Sequence, residues 1–305
     1  MRAVRLPMLA PRSVSLCEIS SWAEALPALA AGRSRYHVTP LPVEGLGEGD
    51  GYVFYRLVGT GGKTKSLGGL GGMDLRLYGV RDFALVFCDG QPLGIWDRNS
   101  EPMLVLPPGT SQLDILVEVT ARVNFGPHVA ERKGLVGSVR LGIRQQDERE
   151  VFGWESTALP MRSEDLARLP WQRRGQGQAG GAGPCFYRGT FSLSDEEEPA
   201  DTWLHLPGFT RGFVALNGFN LGWHRQEGPQ LSLYAPAALL RRGAQNEIVV
   251  FELLATAQAP GAGGVAPAAL LEEAPRWSCN RTAAVTSQLR ETWDFARQAG
   301  MGRVY

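Results

Sequence analysis

Three carboxylates stand together at Glu196-Glu197-Glu198, and two suitably placed carboxylates suffice to hydrolyse a glycosidic bond. This run lies between Ser194 and Pro199, where it reads as a solvated turn, and nothing singles out a buried pair. Four histidines, His37, His128, His205 and His224, are scattered, and none has a second His or Cys at ligand spacing. No metal site, no cofactor and no catalytic residue is therefore expected. Gly62-Lys63-Thr64 resembles the end of a phosphate-binding loop, but Leu57 occupies the position of that loop's first glycine. A different chemistry is offered by Trp223, which has Asn220, His224 and Arg225 beside it, just after the turn pair Asn217-Gly218. An aromatic face with hydrogen-bonding neighbours is what a sugar platform needs; the competing reading is a tryptophan that covers one end of a β-sandwich.

The elements that would position these residues recur. Phe54-Tyr55-Arg56 and Phe186-Tyr187-Arg188 each open the same run of signals. An apolar stretch follows (Leu85–Cys88, then Phe213–Leu216), next a turn pair (Asp89-Gly90, Asn217-Gly218), then a second glycine (Gly94, Gly222). Asp or Asn followed by Gly meets the positive φ angles of a type I′ hairpin turn at least steric cost. Both copies close on an alternating strand, Leu113–Glu118 and Glu247–Glu252. Strand and turn signals at this spacing predict an all-β chain of two β-sandwiches in series.

Composition agrees. Hydrophobic residues make up 44% and charged residues 20% of 305 residues, which excludes a wholly disordered chain. Lys+Arg and Asp+Glu both number 31, so there is no general pull toward nucleic acid or anionic lipid. The four cysteines show no C-x-x-C spacing, and Cys88 reads as a small buried hydrophobe. No apolar run is long enough for a membrane span, and the apolar start, interrupted by Pro7 and Pro11, does not read as a signal peptide.

The expected organisation is a lead-in over 1–40, a first sandwich over 41–163 and a linker over 164–184. A second sandwich over 185–255 follows, completed by segments from 1–40, and then a flexible tail over 256–305. A short helix is expected over 20–31, weakened by Pro27. A tail helix is expected over 283–299, with Val285, Leu289, Trp293 and Ala296 on one face. Asn280-Arg281-Thr282 is a glycosylation sequon.

Taken in order, these motifs resemble the C-terminal β-domains of family 35 glycoside hydrolases, the lysosomal-type β-galactosidases. The second copy carries Phe186–Phe191, Leu206–Gly212, Leu216–Gly222 and Gly228–Tyr234 in the family's order. The first carries Gly51–Arg56, Gly79–Asp82, Leu113–Glu118, Arg122-Val123-Asn124 and Lys133-Gly134-Leu135. The resemblance implies two tandem jelly-roll, galactose-binding-like domains without the catalytic (β/α)8 barrel, which needs about 250 residues of its own. It implies that Arg122, Asn124 and Phe125 face such a barrel. Phe125 replaces the family's tyrosine and so lacks the hydroxyl, and Trp223-His224-Arg225 stands where the family has Arg-Tyr-Trp, so that an arginine and an aromatic have exchanged places. For a full-length parent the family implies a lysosomal or secreted protein; the compartment of this chain is open.

The function expected from these readings is a non-catalytic β-galactosidase-like module with a carbohydrate-binding or structural and assembly role. Asn217, Asn220, Trp223, His224 and Arg225 are the sugar-binding candidates. The alternatives are a fragment of an active β-galactosidase, or a scaffold subunit of a larger complex that binds a protein through its tail. On all three readings the chain alone should not hydrolyse galactosides, and its partners are galactosides or a β-galactosidase-type barrel.

Overall fold

Period-two burial organises the chain into antiparallel strands. The computed structural model describes residues 7–60, 71–98, 102–143, 145–173, 183–254 and 267–278. They fall into two units: Leu29–Met161, and the described residues up to Ala28 together with those from Arg162 onward.

The first unit has a six-stranded sheet in the order Ser34–His37, Trp154–Leu159, Gly51–Leu57, Leu113–Val119, Phe83–Cys88 and Gln91–Asp97. A four-stranded sheet runs Arg149–Glu150, Val139–Gly142, Asp74–Leu77 and Leu104–Val105. Alternate residues of the two sheets, among them Val53, Tyr55, Ile115 and Val117 from one and Leu75, Leu77, Val139 and Leu141 from the other, close a single core. Cys88 is buried here as a small hydrophobe, and burial pushes its thiol up to about 11.

The second unit repeats the plan. Its six-stranded sheet runs Gln172–Arg173, Glu18–Ser21, Cys185–Ser192, Gln245–Glu252, Arg211–Leu216 and Phe219–Arg225. The four-stranded sheet runs Arg12–Ser15, Ala268–Glu272, Thr202–His205 and Ser232–Ala235. Val14, Leu16, Tyr187, Leu204, Val214, Ile248, Val250 and Leu271 meet between them. The described residues thus form an all-β pair of β-sandwiches, and the nine-residue helix Trp22–Ala30 runs around Pro27.

The repeated tripeptide occupies the same strand in each unit. Arg56 stands opposite Asp114 in the register, and its Nε and Nη2 each donate to one carboxylate oxygen at 2.9 Å. Arg188 stands opposite Glu18 and forms the same fork at 2.8 and 3.0 Å, with its guanidinium 4.6 Å from the Trp171 ring centre. Both turn pairs have positive φ at both residues, 49° and 76° at Asp89-Gly90 and 52° and 82° at Asn217-Gly218. Each following hairpin carries a register shift one residue after the strand position that faces the second glycine, Gly94 or Gly222.

Two expected boundaries move. Ala268–Glu272, assigned from sequence to a flexible tail, is an internal strand paired on both sides, with Ala269 and Leu271 buried. Its five residues sit in an Ala/Gly/Pro-rich context that masks the alternation. Within the lead-in, Arg12–Ser15 and Glu18–Ser21 are strands of the second unit's two sheets. Part of the linker is ordered, as the short helix Ser163–Leu166 and the strand Gln172–Arg173. The helix expected over 283–299, the sequon at Asn280 and the Gly62-Lys63-Thr64 segment lie outside the described residues.

Candidate functional site

The residues around Trp223 do not share one surface. Asn217 points its amide inward: Nδ2 donates to the Leu239 carbonyl at 2.6 Å and to Asn246 Oδ1 at 2.8 Å, and Oδ1 accepts from the Glu247 amide at 2.8 Å. These bonds tie the hairpin turn to the neighbouring strand. Asn220 is exposed, and its Oδ1 accepts from the Gly222 amide, a local turn contact. His224 alternates to the other side of the sheet from Trp223 and Arg225. It is 8% exposed, its Nε2 lies 3.0 Å from the Phe251 carbonyl oxygen, and it meets the Phe209 ring edge-on. Burial, with Arg211 and Arg225 adding to it, lowers its pKa to about 4, so it is neutral at neutral pH.

Trp223 itself ends a row of rings. Phe186 stands opposite Phe251, Phe251 opposite Phe213, and Phe213 opposite Trp223, across four neighbouring strands on the side away from the sandwich core. Phe186 and Phe251 are 4.5 Å apart between centroids, and Trp22 of the helix packs on Phe251 at 6.1 Å. The equivalent row in the first unit is Phe54, Leu116, Leu85 and Ile95. The position is therefore one of sheet packing in both copies, and the half-buried Trp223 takes the place that Ile95 holds in the other unit.

Arg122, Asn124 and Phe125 lie together on the loop between Val119 and Gly134. Phe125 is 88% exposed, and Asn124 and Val129 beside it are exposed too. The loop is fixed at both roots. At one, Arg122 donates to the Gly49 carbonyl and pairs with Glu44. At the other, Lys133 is 2% exposed and its Nζ donates to both oxygens of Asp82 at 2.9 Å and to Glu131 at 3.2 Å. Arg81 and Arg98 complete that cluster through Glu131 and Asp82. Burial raises the Glu131 pKa, but hydrogen bonds from Arg98, Lys133 and Arg81 outweigh it and hold the carboxyl below its ordinary value. Next in sequence, Gly134 leaves room that a Cβ would fill 2.4 Å from the Tyr55 hydroxyl. That hydroxyl donates to the Leu41 carbonyl and accepts from the Leu135 amide. Sequence reading found the loop through its aromatic and missed the Lys133 cluster, whose members are dispersed from Arg81 to Lys133.

One carboxyl titrates in the range of a general acid. Burial pushes Glu252 up to about 7 against bonds donated by the hydroxyl and amide of Thr210 and the amides of Leu254 and Arg211. It is 1% exposed, and these donors make it a tie between strand and loop. Among the described residues no three His, Cys, Asp or Glu side chains are grouped to hold a metal, and no helix is long and apolar enough to cross a membrane.

Two all-β sandwiches with matched six- and four-stranded sheets define the class of the described residues, that of tandem all-β domains. Residues 40–160 match the family described as "Beta-galactosidase, first all-beta domain", and residues 184–246 that described as "Beta-galactosidase, galactose-binding domain". The chain belongs to the β-galactosidase family through these two β-domains. The β-galactosidase of Xanthomonas manihotis is 37% identical over 202 residues, 64% of this chain and 30% of its own length. That of Homo sapiens is 36% identical over 193 residues, 58% and 28%, and that of Mus musculus 33% over 266 residues, 81% and 39%. The chain thus spans about a third of the length of these curated relatives.

Proposed function

We propose that this chain is a non-catalytic module of family 35 β-galactosidase type that docks on a catalytic barrel through the loop bearing Arg122, Asn124 and Phe125. The observation that carries this is Phe125, 88% exposed at the tip of a loop whose roots are held by charged side chains. An exposed large aromatic on a braced loop is a contact awaiting a partner surface. The alternative, a galactoside held around Trp223, is less well supported, because Asn217 and His224 spend their polar atoms inside the fold. The reading covers both a fragment whose barrel lies elsewhere in a longer chain and a free-standing scaffold subunit.

The test supplies the chain in trans to the barrel of the Xanthomonas manihotis enzyme deprived of its own β-domains. Association by analytical ultracentrifugation and turnover of a chromogenic galactoside are then followed. The chain alone should show no turnover, and Phe125→Ser should weaken association at least tenfold while the chain stays folded. Turnover by the isolated chain that is lost on mutation of one of its own carboxylates would overturn the non-catalytic reading. Association unchanged by Phe125→Ser would overturn the docking assignment.

A further inference from the structure

We infer that Glu252 is a proton-operated latch in the second unit. With a proton on its carboxyl it fastens the start of the Arg211–Leu216 strand to the end of the Gln245–Glu252 strand; without it, that corner of the sheet loosens. Glu252 lies in a register row that faces inward, Cys185, Glu252, Gly212 and His224, across four neighbouring strands. The equivalent row of the first unit is Val53, Val117, Ala84 and Trp96, all apolar members of its core. A carboxyl thus stands where the same plan elsewhere has valine. Burying a carboxylate costs free energy that burying valine does not, so packing alone does not account for the glutamate.

The carboxyl is tied to both segments. Its Oε2 accepts from the Thr210 amide at 2.7 Å. Its Oε1 accepts from the Arg211 amide at 3.2 Å, from the Leu254 amide at 3.0 Å and from the Thr210 hydroxyl. All four donors are neutral. Three are amides, which only donate, whereas the Thr210 hydroxyl both donates and accepts. That hydroxyl can turn to receive the proton the carboxyl takes up, and the amide bonds then stay in place.

The ionisable groups around it do not supply the missing counter-charge. Across Gly212 stands His224, neutral at neutral pH, and on the other flank Cys185 donates its thiol to the Ser20 carbonyl at 3.5 Å. Arg211 and Arg225 alternate to the opposite side of the sheet. Glu227, two residues past Arg225, has a buried Oε2 of its own. Burial therefore prevails over the four donors, and the Glu252 carboxyl titrates at about 7 against an ordinary 4.5. A folded pKa above the unfolded one gives stability that is complete below about pH 4.5 and is lost as pH rises through about 7. The latch is closed in mild acid and eases above neutrality. It does not depend on the docking role proposed above.

The test follows the full chain from pH 8 to pH 5. The Glu252 carboxyl resonance, assigned through the backbone in carbon-13-labelled protein, should titrate at about 7. In denaturant unfolding, the folding equilibrium constant of the wild type relative to Glu252→Gln should rise on the order of 100-fold over that range. The amides of Thr210, Arg211 and Leu254 should gain protection as pH falls, after correction for intrinsic exchange. Glu227→Gln should leave all of this unchanged. A Glu252 resonance that titrates at its ordinary value, or unfolding curves that run parallel, would overturn the latch. So would protection of those amides that does not follow pH, or a pH dependence that disappears in Glu227→Gln. Where Glu252→Gln does not fold, the wild-type titration and exchange decide the matter by themselves.

Discussion

His224 Nε2 lies 3.0 Å from the carbonyl oxygen of Phe251, within hydrogen-bond distance, and its ring occupies the space left by the absent side chain of Gly212. A Cβ on Gly212 would lie 1.8 Å from that same oxygen and 3.0 Å from Nε2. Gly212 and His224 stand opposite each other in the register, as Ala84 and Trp96 do in the first unit. In both sandwiches a small residue on one strand makes room for a ring on the edge strand. The first unit fills the place with indole, the second with imidazole.

Replacing His224 should therefore destabilise the protein. His224→Ala removes a buried ring and one contact of the Phe251 carbonyl, an expected loss of about 2–4 kcal/mol at pH 7. The pH dependence has a definite sign. The folded pKa is lowered to about 4 from an ordinary 6.5, so the neutral ring's contribution is complete above pH 6.5 and is lost as pH falls toward 4. The wild-type protein should lose up to about 3 kcal/mol more than the variant across that window. Glu252, raised to about 7, acts in the opposite sense, but it is present in both proteins and cancels in the difference. Chemical denaturation at a series of pH values measures both curves, and parallel curves would contradict the buried neutral imidazole.

The two turn glycines should differ although their φ angles nearly agree. At Gly90 a Cβ would meet nothing within 4 Å, whereas at Gly218 it would lie 2.5 Å from Ser163 Oγ and 3.2 Å from Ser163 Cβ. Gly90→Ala should cost only the left-handed backbone penalty, about 1–2 kcal/mol. Gly218→Ala carries the same penalty plus the displacement of Ser163 at the start of its helix, so about 1 kcal/mol more is expected. Thermal unfolding of the two variants side by side checks the order. Equal losses would mean that Ser163 moves aside freely.

The same hairpins show where sequence reading works. Asn217-Gly218 and Asp89-Gly90 were legible because positive φ at two successive residues restricts the choice of side chain. The strands behind Phe-Tyr-Arg were legible because burial alternates. The role of Trp223 was not: an exposed platform and the last ring of an in-register row have the same local sequence, and only Phe213 opposite it separates the two. His224 was misleading for a related reason, since the glycine that admits it to the interior lies twelve residues away on another strand. The Ala268–Glu272 strand and the Lys133 cluster share that difficulty. Each is assembled from contacts distant in sequence, with no local period to announce it.

Lys133 offers the sharpest test of the loop that carries Phe125. Its side chain is 2% exposed and its ammonium neutralises Asp82 and Glu131, whose other charged partners among the described residues are Arg81 and Arg98. Lys133→Met keeps the apolar stem and removes the charge, so the two carboxylates lose their buried partner. Breaking a buried pair costs about 3–5 kcal/mol, and the remaining arginines should reduce this to about 2–3 kcal/mol. Amides over 121–132 should exchange faster with solvent, while those of the Leu113–Val119 strand keep their protection. Phe125→Ser, at an 88% exposed position, should change stability by less than about 0.5 kcal/mol. The two variants thus separate bracing from contact. If both weaken association with the barrel and only Lys133→Met loosens the loop, the cluster positions Phe125 and the ring makes the contact. If Lys133→Met frees the loop and leaves association untouched, the brace has no part in docking.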